Sequence, residues 1–210
     1  MKTDDLIAAL SREVEPASRT PLVMRTVMAL LGGGAVSLLL MHLTLGVRPD
    51  IGVAMWAVAA KAGFCAVLAV AGGAAALELG RPGRSGRALA PWLALVASGF
   101  LVAAVTLASM EPGLRWGAWT GGGIPWCVVL IPAFALPVAT GLVWAWREAA
   151  PTGLTMAGAA IGALAGAVGA LVYAMHCPID SVPFVAAWYG VGIGLTAGIG
   201  ALLGRRFLRW

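Results

Sequence analysis

Charge is scarce in this chain. Asp, Glu, Lys and Arg supply 11% of its 210 residues, against roughly 25% in an ordinary soluble domain, which excludes a fold solvated mainly by water. Cysteine is scarce too: there are three, none in a CxxC pair, which removes both a disulfide framework and a zinc ribbon. No internal repeat or low-complexity tract stands out beyond Ala and Gly enrichment. The first 21 residues carry Asp4, Asp5, Glu13 and Glu15 rather than a basic leader before a short apolar core. Insertion is therefore expected to use the first span itself instead of a cleaved signal.

What is abundant is apolar sequence, at 60% of residues, in runs near the ~20 residues that cross a bilayer as helix. Six such runs are expected at 22–45, 51–79, 88–110, 126–146, 154–175 and 184–203. The longer segment from Glu111 to Pro125 reads as a polar loop. The expected fold is all-α, an integral membrane bundle of six transmembrane helices. A cytoplasmic amino-terminal segment (1–21) precedes the membrane domain (22–204), and a short basic tail (205–210) follows it.

The net charge of +5 does not call for nucleic acid, because Lys and Arg fall in clusters between apolar runs. Eleven of them, from Lys2 to Arg209, lie in the amino-terminal segment, at the start of the first span (Arg25), in alternate loops and in the tail, against only Arg48 and Arg115 in the other loops. Lys61 lies within a span. The positive-inside bias then puts both termini in the cytoplasm of a bacterial inner membrane. Tryptophan agrees: Trp116, Trp119, Trp126 and Trp188 fall at outer ends, Trp92, Trp144, Trp146 and Trp210 at inner ones, and Trp56 inside a span.

Small residues write the helix packing. Gly158, Gly162 and Gly166 recur every fourth position in the fifth span, as do Gly190, Gly194 and Gly198 in the sixth, and each set offers a smooth stripe to a close neighbour. Pro132 and Pro137 each remove a backbone donor from the fourth span.

Four features bear on chemistry. Cys127 begins the fourth span and Cys177 lies in the following outer loop, on the side where bacteria permit disulfides. Cys65 reads as a small buried hydrophobe, and His42 as a hydrogen-bonded packing residue. The run His176, Cys177, Pro178, Ile179, Asp180 supplies candidate ligands for copper or zinc, with Cys127 adding a third donor if the loops converge. Lys61 is expected near mid-membrane, where an ammonium needs a partner and marks a candidate site. Finally, residues 4–15 can form a helix with Asp4 and Asp5 in its first turn and Leu6, Ile7, Leu10 and Val14 on one stripe. About twelve residues are marginal alone in water, and the acidic residues disfavour an anionic membrane surface, so a protein partner is expected.

These residues resemble the NrsF (negative regulator of sigma F) family of multi-pass membrane anti-sigma factors. The matching pieces are the opening Met1 to Leu10, the Leu45-Gly46-Val47-Arg48-Pro49-Asp50 turn with Lys61 downstream, and Arg81-Pro82-Gly83. Cys127, Ala150-Pro151-Thr152, the run Tyr173 to Cys177, Trp188-Tyr189 and the Gly200 to Trp210 tail follow in order. The resemblance implies a protein, not an enzyme, that holds an extracytoplasmic-function sigma factor through its amino-terminal segment. It also implies release on an outer stress sensed by Cys127 and Cys177. Cys65 has no place in that pattern. The alternatives are a membrane thiol oxidoreductase, which calls for a CxxC near a quinone site, and a small secondary transporter, which calls for inverted repeats and several intramembrane polar groups.

Overall fold

Once a chain this apolar enters lipid, every backbone N–H and C=O must be satisfied within the segment, and helix is the solution open to single spans. A computed structural model describes Thr3 and residues 20–123, 125–147, 149 and 151–208. Among them, six helices are long and apolar enough to cross a membrane. They are α1 (Thr20–Thr44), α2 (Met55–Leu79), α3 (Ala90–Ser109), α5 (Cys127–Trp146), α6 (Leu154–Tyr173) and α7 (Val182–Phe207), with a shorter α4 (Pro112–Thr120) between α3 and α5. The expected sigma-binding residues Asp4, Asp5, Leu6, Ile7, Leu10 and Val14 lie outside the described residues.

The enclosed helix is α6, with 72% of its spanning window buried against 11% for α3. It packs on α7, α2 and α5, while α1 lies along α5. Leu31, Leu43, Leu101 and Leu202 are exposed apolar side chains of the kind that lipid solvates. Glycine makes the α6–α7 contact possible. A Cβ at Gly158 would run into the carbonyl oxygen of Gly200, one at Gly162 into that of Thr196, and one at Gly204 into that of Leu154. The stripe on α7 is therefore Thr196, Gly200 and Gly204, not the expected Gly190, Gly194 and Gly198. Gly194 and Gly198 face open space, and Gly190 faces the ring of Phe100. Both sets recur at four-residue spacing, so periodicity alone cannot choose between them. On the other side, a Cβ at Gly33 of α1 would lie 2.7 Å from Val138 Cα, and Ser37 donates to Phe134 O of α5 at 2.7 Å.

Three further expectations change. The segment after α3 is not simply a polar loop: Pro112 starts α4 at its first turn and Gly121, at φ 67°, ends it in the left-handed region. α7 starts earlier and runs on through Arg205 and Arg206, cations that suit a helix carboxyl end. It also contains a π-helical turn at Val185–Tyr189. The second span begins at Met55, not Ile51, because 51–54 is a turn in which Val53 and Ala54 donate to Asp50 O at 3.0 and 2.9 Å. Lys61 accordingly lies ~9 Å along α2 from its start at Met55, not at the middle of the span. Trp56 moves with it to that end of the helix, where it is exposed.

Candidate functional site

One cluster of buried apolar residues contains all three cysteines, together with Tyr173, Tyr189 and Phe184. Over it lies the segment joining α6 to α7, drawn down by charge. Arg48, in the α1–α2 loop, is 5% exposed. Its Nη1 and Nη2 donate to the two oxygens of Asp180 at 2.8 and 3.1 Å, and its Nε and Nη2 donate to those of Asp50, both at 2.8 Å. Two forked guanidinium–carboxylate pairs on one arginine are strong, charge-assisted contacts. Lys61, at 4% exposure, reaches the same Asp180 at 2.7 Å. Two cations and two anions thus neutralise one another at the end of the bundle where α2 begins and α6 ends.

The cations also hold backbone. Cys177 O accepts from Lys61 Nζ at 2.8 Å and from Arg48 Nη1 at 3.1 Å, and Ile179 O accepts from Lys61 at 3.3 Å. Arg48 N donates to Met175 O at 3.1 Å, and His176 Nδ1 donates to Gly46 O at 2.9 Å. On the far side Ser181 donates to Ala118 O at 2.7 Å and Trp188 Nε1 to Trp119 O at 2.8 Å, so α4 braces the segment. The partners of Lys61 are therefore Asp180 and loop carbonyls.

The titration of the exposed end follows from this geometry. For Asp180, burial alone would raise the pKa, but the hydrogen bonds and charges of Arg48 and Lys61 prevail and hold the carboxyl below its ordinary value. Asp50 is lowered chiefly by its hydrogen bonds from Arg48. Arg48 is raised further above an already high value by Asp50 and Asp180.

Beneath the clamp, Cys127 and Cys177 are 0% and 1% exposed, and all three cysteines are free thiols. Cys127 and Cys177 are close enough to influence one another electrostatically, but they are unlinked. Neither thiol is open to solvent, since both are enclosed by the surrounding side chains of the core. The hydroxyl of Tyr189 has no hydrogen-bond partner among the described residues, and its electrostatic neighbours are Cys177, Cys65 and Tyr173. No group of three or more His, Cys, Asp or Glu that could hold a metal ion comes together among the described residues. Cys127, His176 and Cys177 thus form no such group, and His176 is turned to Gly46. His42 is exposed on α1 rather than packed.

Arg48 and Asp50 are the site residues that sequence reasoning passes over, since an arginine beside a proline reads as a topology mark and a span end. A signal was present: Arg48, Asp50, Lys61 and Asp180 are two cations and two anions near the ends of apolar runs in a chain otherwise poor in charge.

A family model described as negative regulator of sigma F, NrsF, matches residues 10–210. The chain is 37% identical over 216 residues to the probable anti-sigma-F factor NrsF of Azospira oryzae, and 37% identical over 223 residues to the anti-sigma-F factor NrsF of Caulobacter vibrioides. Both alignments cover 100% of each chain. No solved structure matches.

Proposed function

The chain belongs to the NrsF family of negative regulators of sigma F, and from that premise we propose that it is an inner-membrane anti-sigma factor with both termini in the cytoplasm. It sequesters an extracytoplasmic-function sigma factor through Asp4, Asp5, Leu6, Ile7, Leu10 and Val14, and releases it when Cys127 and Cys177 respond to a periplasmic oxidant or soft metal. Full-length similarity to two anti-sigma-F factors carries the regulatory part of this reading. The observation that carries the sensing part is that Arg48 and Lys61 both grip the backbone carbonyl of Cys177. A change at its sulfur must therefore act on the clamp joining the α1–α2 loop, α2 and the start of α7.

Two sulfurs allow two inputs. Loss of two electrons and two protons to an oxidant would join them as a disulfide. Alternatively, two thiolates would bind a soft monovalent ion such as Cu(I), a better match to sulfur alone than zinc with its four ligands. Either product replaces two packed thiols with a shorter or charged unit, and the 174–181 segment must move to admit the reagent. Release follows only so far as the two arrangements differ in sigma affinity. A coupling of ~1 to 3 kcal/mol changes that affinity by roughly 5- to 150-fold.

The sigma-binding assignment is tested by replacing both Leu6 and Leu10 with Asp in the full chain. Pull-down of the cognate sigma factor should be lost while membrane insertion persists. Undiminished capture would move the interface to the inner loop from Arg81 to Arg87.

A further inference from the structure

On the side of the bundle, between α5 and α7, runs a groove of ≈ 450 Å³ with α6 as its floor. Leu136, Val143, Ile199 and Leu203 form its walls. Its hydroxyls are already committed: Thr140 donates to Leu136 O and Pro137 O at 3.0 and 2.9 Å, and Thr196 donates to Gly192 O at 2.9 Å. A water held there would lack the two to four polar partners that keep water in a cavity, so the chemistry of the groove is hydrocarbon.

One end is different. Arg147, the charged residue among those that line the groove, is exposed, and among the described residues its guanidinium has no hydrogen bond or ion pair. Along α5 the lining extends from Pro132 to Arg147, a rise of ~22 Å. That is about half of the 40–45 Å thickness of a bilayer with its headgroups, in other words one leaflet. Trp144, exposed beside Arg147, suits the headgroup boundary.

We propose that this groove binds an anionic phospholipid, one acyl chain lying between α5 and α7 and the phosphate resting on Arg147. Apolar walls fit the chain, the unpaired guanidinium fits the phosphate, and the length fits one leaflet. Its assignment to the cytoplasmic leaflet rests on the orientation proposed above; the site itself does not. The lipid would set the separation of α5 and α7 at one end, while at the other α7 touches α5 where a Cβ on Gly192 would lie 3.2 Å from Cys127 O.

The test uses the full-length protein in nanodiscs of equimolar phosphatidylglycerol and phosphatidylcholine, with retained lipid read by native mass spectrometry. Wild type should retain phosphatidylglycerol about fivefold in preference, the worth of one arginine near an anionic headgroup. Arg147→Gln should abolish the preference, whereas Arg206→Gln, exposed on α7 but outside the groove, should keep it. Ala139→Phe, which fills the groove, should reduce retention of both lipids. The proposal is overturned if wild type shows no preference, or if Arg206→Gln removes it as fully as Arg147→Gln. It is equally overturned if Leu136→Cys crosslinks efficiently to a second copy in membranes, which would make the groove a protein interface.

Discussion

Arg48 and Lys61 are almost wholly buried, and a buried cation is tolerable only when paired and hydrogen-bonded on every side. Asp180 satisfies both, and its own side chain is 30% exposed. Removing one member of a fully buried pair costs roughly 3 to 5 kcal/mol. Partial exposure of Asp180 and the surviving Asp50 contact reduce that to about 1 to 2 kcal/mol for opening the loop. Asp180→Asn should therefore raise the rate of alkylation of Cys177 roughly 5- to 30-fold at neutral pH, as followed by mass spectrometry of the labelled peptide. An unchanged rate would mean that the clamp does not gate the thiol. The pH dependence has a definite sign. Because the native pKa of Asp180 is depressed, its stabilisation is fully present above the unfolded value near ~3.9 and fades only as pH falls through the lower native one. The melting difference between wild type and Asp180→Asn should thus be constant from about pH 8 to 5 and narrow in stronger acid.

Lys61 shows what a sequence can say about such a residue. An ammonium inside an apolar run announces that a partner exists. Which partner depends on where the helix begins, and that is decided by a turn around Asp50 O. Asp180 and Lys61 are 119 positions apart, and no local pattern pairs them.

At the scale of the element, the α6–α7 contact rests on the absence of side chains. Gly162→Ala places a methyl against Thr196 O with no flexible atom to yield, and overpacking of that kind costs roughly 1 to 3 kcal/mol. Gly194→Ala meets nothing within 4 Å and should be neutral or stabilising by up to about 1 kcal/mol, since alanine loses less backbone entropy than glycine in a helix. Thermal unfolding in one detergent should separate the two variants, with Gly162→Ala melting below wild type and Gly194→Ala not. The reverse order would place the close approach on the other stripe. The existence, number and approximate limits of the six spans were legible because lipid imposes length and hydropathy directly. The choice of glycine stripe was not, since two faces of α7 have the same spacing. Pro112 and Gly121 did mark the start and stop of α4, but nine residues between two spans are too few for periodicity to declare a helix.

At the scale of the whole molecule, the clamp ties the α1–α2 loop to the 174–181 segment, and α1 follows in sequence the amino-terminal segment proposed to bind sigma. A change at the thiols thus has a covalent route through α1 toward that segment, and a second through α5, which packs along α1. Cys65 is a useful internal control, as it is equally buried in the same core cluster but lies on α2, outside the proposed sensing pair. The most direct measurement is sigma-dependent transcription in cells carrying Cys127→Ser, Cys177→Ser or Cys65→Ser, with and without oxidant or copper. The account predicts that both Cys127→Ser and Cys177→Ser lose the response while Cys65→Ser keeps it. A normal response in both outer mutants, with loss in Cys65→Ser, would contradict it.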